Sequence, residues 1–233
     1  MIPPNPPHFT RGLLFAQWAL GLVCYLFLAI PYLRKVHGLG RLYPGQRYLF
    51  VSNHVSLLDT VILGALCWRR GCLPILALGD KSVWQATWFK RALSSPFGFL
   101  LERGKLRPSR IRELNAFARA NREFNLLVFP EGTRGDGIHI GTCQPGIYYI
   151  AQEAATSLVP IFIENMQLVS TKHGRFHPVA GLRRIEVYFG APIPATTYLS
   201  LPRNEFIDFL QHQMYSARPA RSATCLSPVL RRV

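Results

Sequence analysis

Short apolar runs separated by polar junctions organise most of this chain. Tyr48–Ser52, Ile75–Leu78, Phe97–Leu101, Asn125–Phe129, Ser157–Ile163 and Arg184–Phe189 are brief and rich in branched or aromatic residues, as strands are. Between them, Ser56–Trp68, Lys81–Leu93, the segment from Pro108 to about Arg122, Ile147–Ala155 and residues 203–215 carry apolar positions at helical spacing. Strands alternating with helices predict an α/β fold, a central mixed sheet flanked by helices. Pro160, inside Val159-Pro160-Ile161, predicts a strand end or a sheet edge, because proline cannot donate to a ladder. Residues 170–181 are polar and rich in Gly, His and Pro, which predicts a loop.

The N-terminal region breaks this rhythm. Residues 1–10 are dense in proline, and from Leu13 to Leu33 no residue is charged. A run of about 20 apolar residues is long enough to cross a bilayer as a helix. A buried core helix is the alternative, but such helices usually keep a polar face. No A-x-A cleavage site follows, which disfavours a signal peptide. The helix either spans or lies in one leaflet. Arg11 precedes the run and Arg34, Lys35, Arg41 and Arg47 follow it, so the bulk of the chain is expected on the cytoplasmic side of the membrane. The expected organisation is a lead-in and membrane-anchoring helix over 1–35, one domain over 36–217, and a loosely ordered basic tail over 218–233.

Composition narrows the partners. The 233 residues carry 27 Lys+Arg against 12 Asp+Glu, a net charge of +15, so nucleic acid, an anionic membrane surface and phosphate-bearing substrates are all candidates. Arg outnumbers Lys, and Arg grips phosphate in bidentate fashion. The aromatic residues do not interleave with the basic ones as in a nucleic-acid module, so no nucleic acid is expected. The odd cysteine count without a CxxC pair argues against a disulfide framework or a zinc site. His173 and His177 are four apart but flanked by Gly174 and Pro178, so no metal site is expected there. There is no G-x-S-x-G elbow, no P-loop and no dinucleotide fingerprint.

Two polar blocks follow apolar runs. In Asn53-His54-Val55-Ser56-Leu57-Leu58-Asp59, His54 is the side chain best matched to proton transfer near neutral pH. Asp59 is a candidate for orienting it, although five residues on a regular helix place the two roughly 140° apart. They meet only if His54 lies in the loop and the helix starts at Ser56. Ser56-Leu57-Leu58-Asp59 matches a capping box, so Asp59 is equally a candidate for capping alone. In the second block, Phe129-Pro130-Glu131-Gly132-Thr133-Arg134, backbone N–H groups at Gly132, the Thr133 hydroxyl and the Arg134 guanidinium suit a phosphate monoester. Glu131, an acceptor when ionised, is expected to hold the loop or a substrate hydroxyl. Arg103 and Lys105 are candidates for a second anion contact.

These residues resemble a known family. Asn53-His54 with Asp59 resembles the His-x4-Asp motif of the glycerolipid and lysophospholipid acyltransferases, typified by 1-acylglycerol-3-phosphate acyltransferase. Phe129–Arg134 resembles that family's Pro-Glu-Gly-Thr-Arg block, Gly98–Arg103 its intervening block ending in Arg, and Val159-Pro160-Ile161 its Pro-containing strand. The blocks fall in the family's order across roughly residues 35–195. The resemblance implies acyl transfer from acyl-CoA or acyl carrier protein, as a substrate and not a bound cofactor, to the hydroxyl of a lysophospholipid, most simply lysophosphatidate. It implies His54 as base, Asp59 as its orienter, and Arg103, Gly132, Thr133 and Arg134 as phosphate contacts, with Glu131 bracing their loop. Two departures touch the acceptor: Cys143-Gln144-Pro145-Gly146 lacks a basic residue the family often has there, and Glu102 stands where Asp or Asn is commoner. Another lysolipid, such as a lyso-ornithine lipid, is therefore a second acceptor to consider. A thioesterase and a non-catalytic basic membrane adaptor are the readings outside this chemistry.

Overall fold

The computed structural model describes residues 11–80, 88, 98–101, 124–173 and 175–218. Among the described residues, seven strands form one sheet: β1 (Leu33–His37), β2 (Tyr48–Ser52), β3 (Ile75–Asp80), β4 (Gly98–Leu101), β5 (Asn125–Val128), β6 (Ser157–Glu164) and β7 (Ile185–Phe189). Their order is β1-β7-β6-β2-β5-β3-β4. Five neighbouring strands, β6 through β4, run parallel, and β7 is antiparallel to β6, so the sheet is mixed as expected. β2, β3, β5, β6 and β7 alternate their side chains between two cores, as the two-residue period requires. Tyr48, Phe50, Leu127, Ile161 and Val187 point to one. Leu49, Val51, Leu126, Phe162 and Tyr188 point to the other.

The helices divide between those faces. α1 (Arg11–Cys24) continues through a π-helical turn at Tyr25–Ala29 into α2 (Ile30–Tyr32). It lies on the first face with α3 (Leu57–Arg70). α4 (Gly146–Ala154) and α6 (Arg203–Ser216) cover the second face, with the short α5 (Ala195–Tyr198) before α6. From β2 the chain passes through α3 to β3, on one side of β2. From β5 it passes through α4 to β6, on the other side. The carboxyl ends of β2 and β5 are therefore a topological switch point, where α/β sheets place their ligands.

Two expectations change. Pro160 is neither at a strand end nor at an edge: it lies inside β6, opposite Val51 of β2. Its ring faces Gly190, whose N–H bonds to the Pro160 carbonyl at 2.8 Å. A Cβ on Gly190 would lie 2.6 Å from the Pro160 ring, so the glycine makes room for the proline where β7 has just ended. The boundary expected after residue 35 falls inside β1, because the chain turns from α2 at Tyr32 straight into that strand. Residues 170–181 form the expected loop, turns with one isolated bridge between Ser170 and Phe176 among the described residues. The helices expected at 81–93 (apart from Trp88) and 108–122, with Arg103 and Lys105, lie outside the described residues.

Candidate active site

At the end of β2 the chain is fixed before it turns. The Asn53 side chain completes the ladder to β6, donating to the Ile163 carbonyl at 2.9 Å and accepting the Ile163 N–H at 2.7 Å. His54 follows in the loop, at the switch point. Its N–H donates to Glu131 Oε1 at 2.8 Å, and its carbonyl accepts the Gly135 N–H at 2.7 Å. The second polar block thus clamps the histidine backbone from both sides. The imidazole stacks on Phe129, centroids 4.2 Å apart and planes 23° apart.

The histidine and the aspartate meet. His54 Nδ1 lies 2.9 Å from Asp59 Oδ2. The helix starts after Ser56, so the 140° separation of a regular helix does not apply. Asp59 is fully buried, and the same Oδ2 accepts the N–H groups of Val55 and Ser56 at 2.6 and 2.8 Å. Capping and orienting are both present. An ionised carboxylate only accepts, so Nδ1 carries the proton in the neutral ring and Nε2 holds the lone pair. The His54 side chain is 15% exposed, enough for contact from outside. Ser56 accepts the Leu58 N–H and donates to Ser170 Oγ at 2.7 Å, joining the cap of α3 to the segment after β6.

Glu131 is an internal brace in this geometry. It is 2% exposed, with Oε1 on the His54 N–H and Oε2 on the Gly141 N–H at 2.8 Å. Burial raises its carboxyl above the ordinary glutamate range, against the lowering effect of those two N–H donors. A Cβ at Gly141 would sit 2.7 Å from Oε2, so only glycine brings its N–H this close. Gly132 takes a left-handed φ of 63° and turns the loop outward. Gly132 and Thr133 are exposed and Arg134 is half-buried, beside the histidine clamp. The loop beyond is pinned by Asp136, whose Oδ1 accepts the Ile138 and His139 N–H groups. Those two bonds, with His139 on its side chain, pull the Asp136 carboxyl down to about 2. Tyr215, from α6, accepts the Ile140 N–H at 2.9 Å.

The described residues therefore bring together His54, Asp59, Glu131, Gly132, Thr133 and Arg134. Sequence reasoning missed Asn53 as a ladder residue, the Phe129 stack, Gly141, Ser170 and Tyr215. Only Phe129 had a signal, its place at the end of β5. The others act through contacts distant in sequence.

The model of the family described as Acyltransferase matches residues 33–164. The chain belongs to that family. Among acyltransferases, it is 32% identical over 148 residues to the lyso-ornithine lipid O-acyltransferase of Pseudomonas aeruginosa, covering 63% of this chain and 52% of that one. It is 30% identical over 191 residues to the 1-acyl-sn-glycerol-3-phosphate acyltransferase of Saccharomyces cerevisiae, covering 78% of this chain and 60% of the relative. The chain thus spans between half and about three-fifths of these curated relatives' length. The crystal structure of the 1-acyl-sn-glycerophosphate (LPA) acyltransferase from Thermotoga maritima shares the fold, with a TM-score of 0.58 at 18% identity over 89% of this chain and 81% of that one.

Proposed function

We propose that this acyltransferase moves a fatty acyl group from acyl-CoA, or acyl carrier protein, to the free hydroxyl of a lysophospholipid, with lysophosphatidate the leading acceptor. The observation that carries the reading is His54, held by Asp59 through Nδ1 and by the Glu131–Gly135 loop through its backbone. His54 Nε2 takes the hydroxyl proton as the oxygen attacks the thioester carbonyl. The carbon–sulfur bond then breaks, and the imidazolium returns the proton to the departing thiolate. Asp59 favours the imidazolium between those steps. Arg134, with the Gly132 and Thr133 groups, holds the acceptor phosphate, and Arg103 is proposed as a second contact. Glu131 positions His54. No covalent acyl-enzyme is needed.

The protein acts at a membrane in this reading. Arg11–Tyr32 is long and apolar enough to cross one. Yet Gln17, on α1, is fully buried and bonds both the N–H and the carbonyl of Ile75 in β3. Gly21 meets Trp68 of α3 so closely that a Cβ would lie 2.6 Å from its ring. A helix docked along one side and apolar on the other favours lying in one leaflet, with the domain on the cytoplasmic face.

The test is long-chain acyl-CoA supplied with lysophosphatidate, with lyso-ornithine lipid, or with no acceptor. Acceptor-dependent phosphatidate formation is expected. Product from lyso-ornithine lipid alone would move the acceptor to that lipid, which the 32%-identical Pseudomonas relative favours. CoA release at the same rate without acceptor would replace the transferase with a thioesterase.

A further inference from the structure

The segment between β6 and β7 leaves the active site and ends beside the N-terminal helix. Ser170 bonds Ser56 in the cap that holds Asp59, and Gln167 packs over Gly137, where a Cβ would lie 3.0 Å from its Cδ. Its described residues bond one another. Thr171 N–H bonds the Arg175 carbonyl, His177 N–H the Val169 carbonyl, and Gly181 N–H the His177 carbonyl, at 2.8 to 3.0 Å. It closes on the end of the N-terminal helix: Arg183 and Arg184 N–H groups bond the Pro31 and Tyr32 carbonyls, and Phe176 meets the Tyr32 ring edge-on at 5.6 Å.

Three apolar side chains of this segment face outward. Phe176 and Leu182 are exposed, and Val179 is 80% exposed. The helix whose end they meet carries exposed apolar residues of its own, Phe15, Trp18, Val23, Leu26, Phe27 and Ile30, repeating at helical spacing. An exposed apolar patch of this extent marks a contact surface. Exposed cations interrupt it at Lys172, Arg175, Arg183 and Arg184, with Arg34 and Lys35 at the start of β1. Apolar tips among cations fit the acyl region of a bilayer beneath anionic headgroups.

We infer that the described residues between 168 and 184 form a second membrane-inserting element, which seats Phe176, Val179 and Leu182 in an anionic bilayer beside the end of the N-terminal helix. The inference rests on the membrane-bound reading above and extends it from an anchor to a surface. A lysolipid and a long acyl chain then reach His54 from the bilayer, along the segment that touches its helix cap.

The test uses the full chain in a Cys225→Ser background, reconstituted into vesicles of phosphatidylcholine with phosphatidylglycerol. An environment-sensitive fluorophore is placed at Val179→Cys, at Phe27→Cys on the helix, or at Tyr149→Cys on the exposed side of α4. Blue-shifted emission and quenching by lipids spin-labelled high on the acyl chain are expected at Val179 and Phe27, and not at Tyr149. Lys172→Gln with Arg175→Gln is expected to lower the preference for anionic over phosphatidylcholine vesicles by about fivefold per charge. A quenched Phe27 probe with an aqueous Val179 probe would overturn the inference and leave the anchor standing. An aqueous probe at both sites would overturn both. A Val179 shift that needs no vesicles and grows with protein concentration would make the surface an interface with a second copy.

Discussion

Asp59 does two things with one oxygen, and the two separate by substitution. Its Oδ2 takes the Val55 and Ser56 N–H groups and also His54 Nδ1. The asparagine oxygen can still accept those N–H groups, but its NH2 is buried where Asp59 Oδ1 has no partner among the described residues, so Asp59→Asn should cost about 1–3 kcal/mol of stability. It removes the carboxylate that fixes the tautomer and favours the imidazolium, so kcat should fall on the order of 10³-fold. Thermal unfolding and turnover on one preparation check both halves, and equal losses in both would reduce Asp59 to a cap. Glu131 offers a pH test. Burial raises its carboxyl, so the folded chain keeps a proton there where the unfolded chain has lost it. That contribution to stability is full below the unfolded value of about 4.3 and disappears as pH rises through the higher folded value. The wild type should therefore gain stability relative to Glu131→Gln as pH falls from neutrality toward the unfolded value, read by thermal unfolding. The same variant turns an NH2 toward the His54 or Gly141 N–H, and a displaced His54 should cost about 10²-fold in kcat. Arg134→Ala is expected to raise the acceptor KM if the guanidinium binds ground and transition states alike, and to lower kcat if it acts in the transition state alone. No change in either would remove it from the site. The motif residues were legible because both blocks are contiguous and chemically unusual. Gly141 and Ser170 were not, since nothing local distinguishes a glycine or serine that meets its partner across the fold.

At the scale of elements, the N-terminal helix is the clearest gain over the sequence. Its apolar composition was visible, but not the side it turns to the domain. Gln17 reaches the Ile75 N–H and carbonyl of β3 from this run, and it sits among residues a hydropathy window averages away. Gln17→Leu leaves the Ile75 N–H and carbonyl without this partner, at a cost of about 1–3 kcal/mol. The helix should then loosen, seen as lower thermal stability and faster proteolysis near residue 17. Unchanged stability would mean that the docking is incidental. Pro160 shows the opposite limit. The rule that keeps proline at edges is sound for a regular ladder, and what rescues it here is Gly190, thirty residues on, without a side chain to meet the ring. β1 was hidden because Arg34 and Lys35 look like flanking charges of an anchor. They are the exposed residues of an edge strand, where charge is at home.

For the whole molecule, the alternating pattern was sufficient to give a mixed sheet between helices, because each strand shows its buried run to a reader who has only the sequence. Strand order was not legible, since it depends on which way each crossover turns. That order sets the function: with β5 between β2 and β3, the chain leaves β2 and β5 in opposite directions, and His54 and the Glu131–Arg134 loop meet at the carboxyl edge. The central claim is that His54 is the base for transfer to a lysolipid hydroxyl. Its most direct measurement is phosphatidate formation by membranes carrying the wild type or His54→Ala, with long-chain acyl-CoA and lysophosphatidate, at matched folded protein. The account predicts acceptor-dependent product from the wild type and a loss on the order of 10³-fold or more in the variant. Turnover by His54→Ala within a few-fold of the wild type would contradict it.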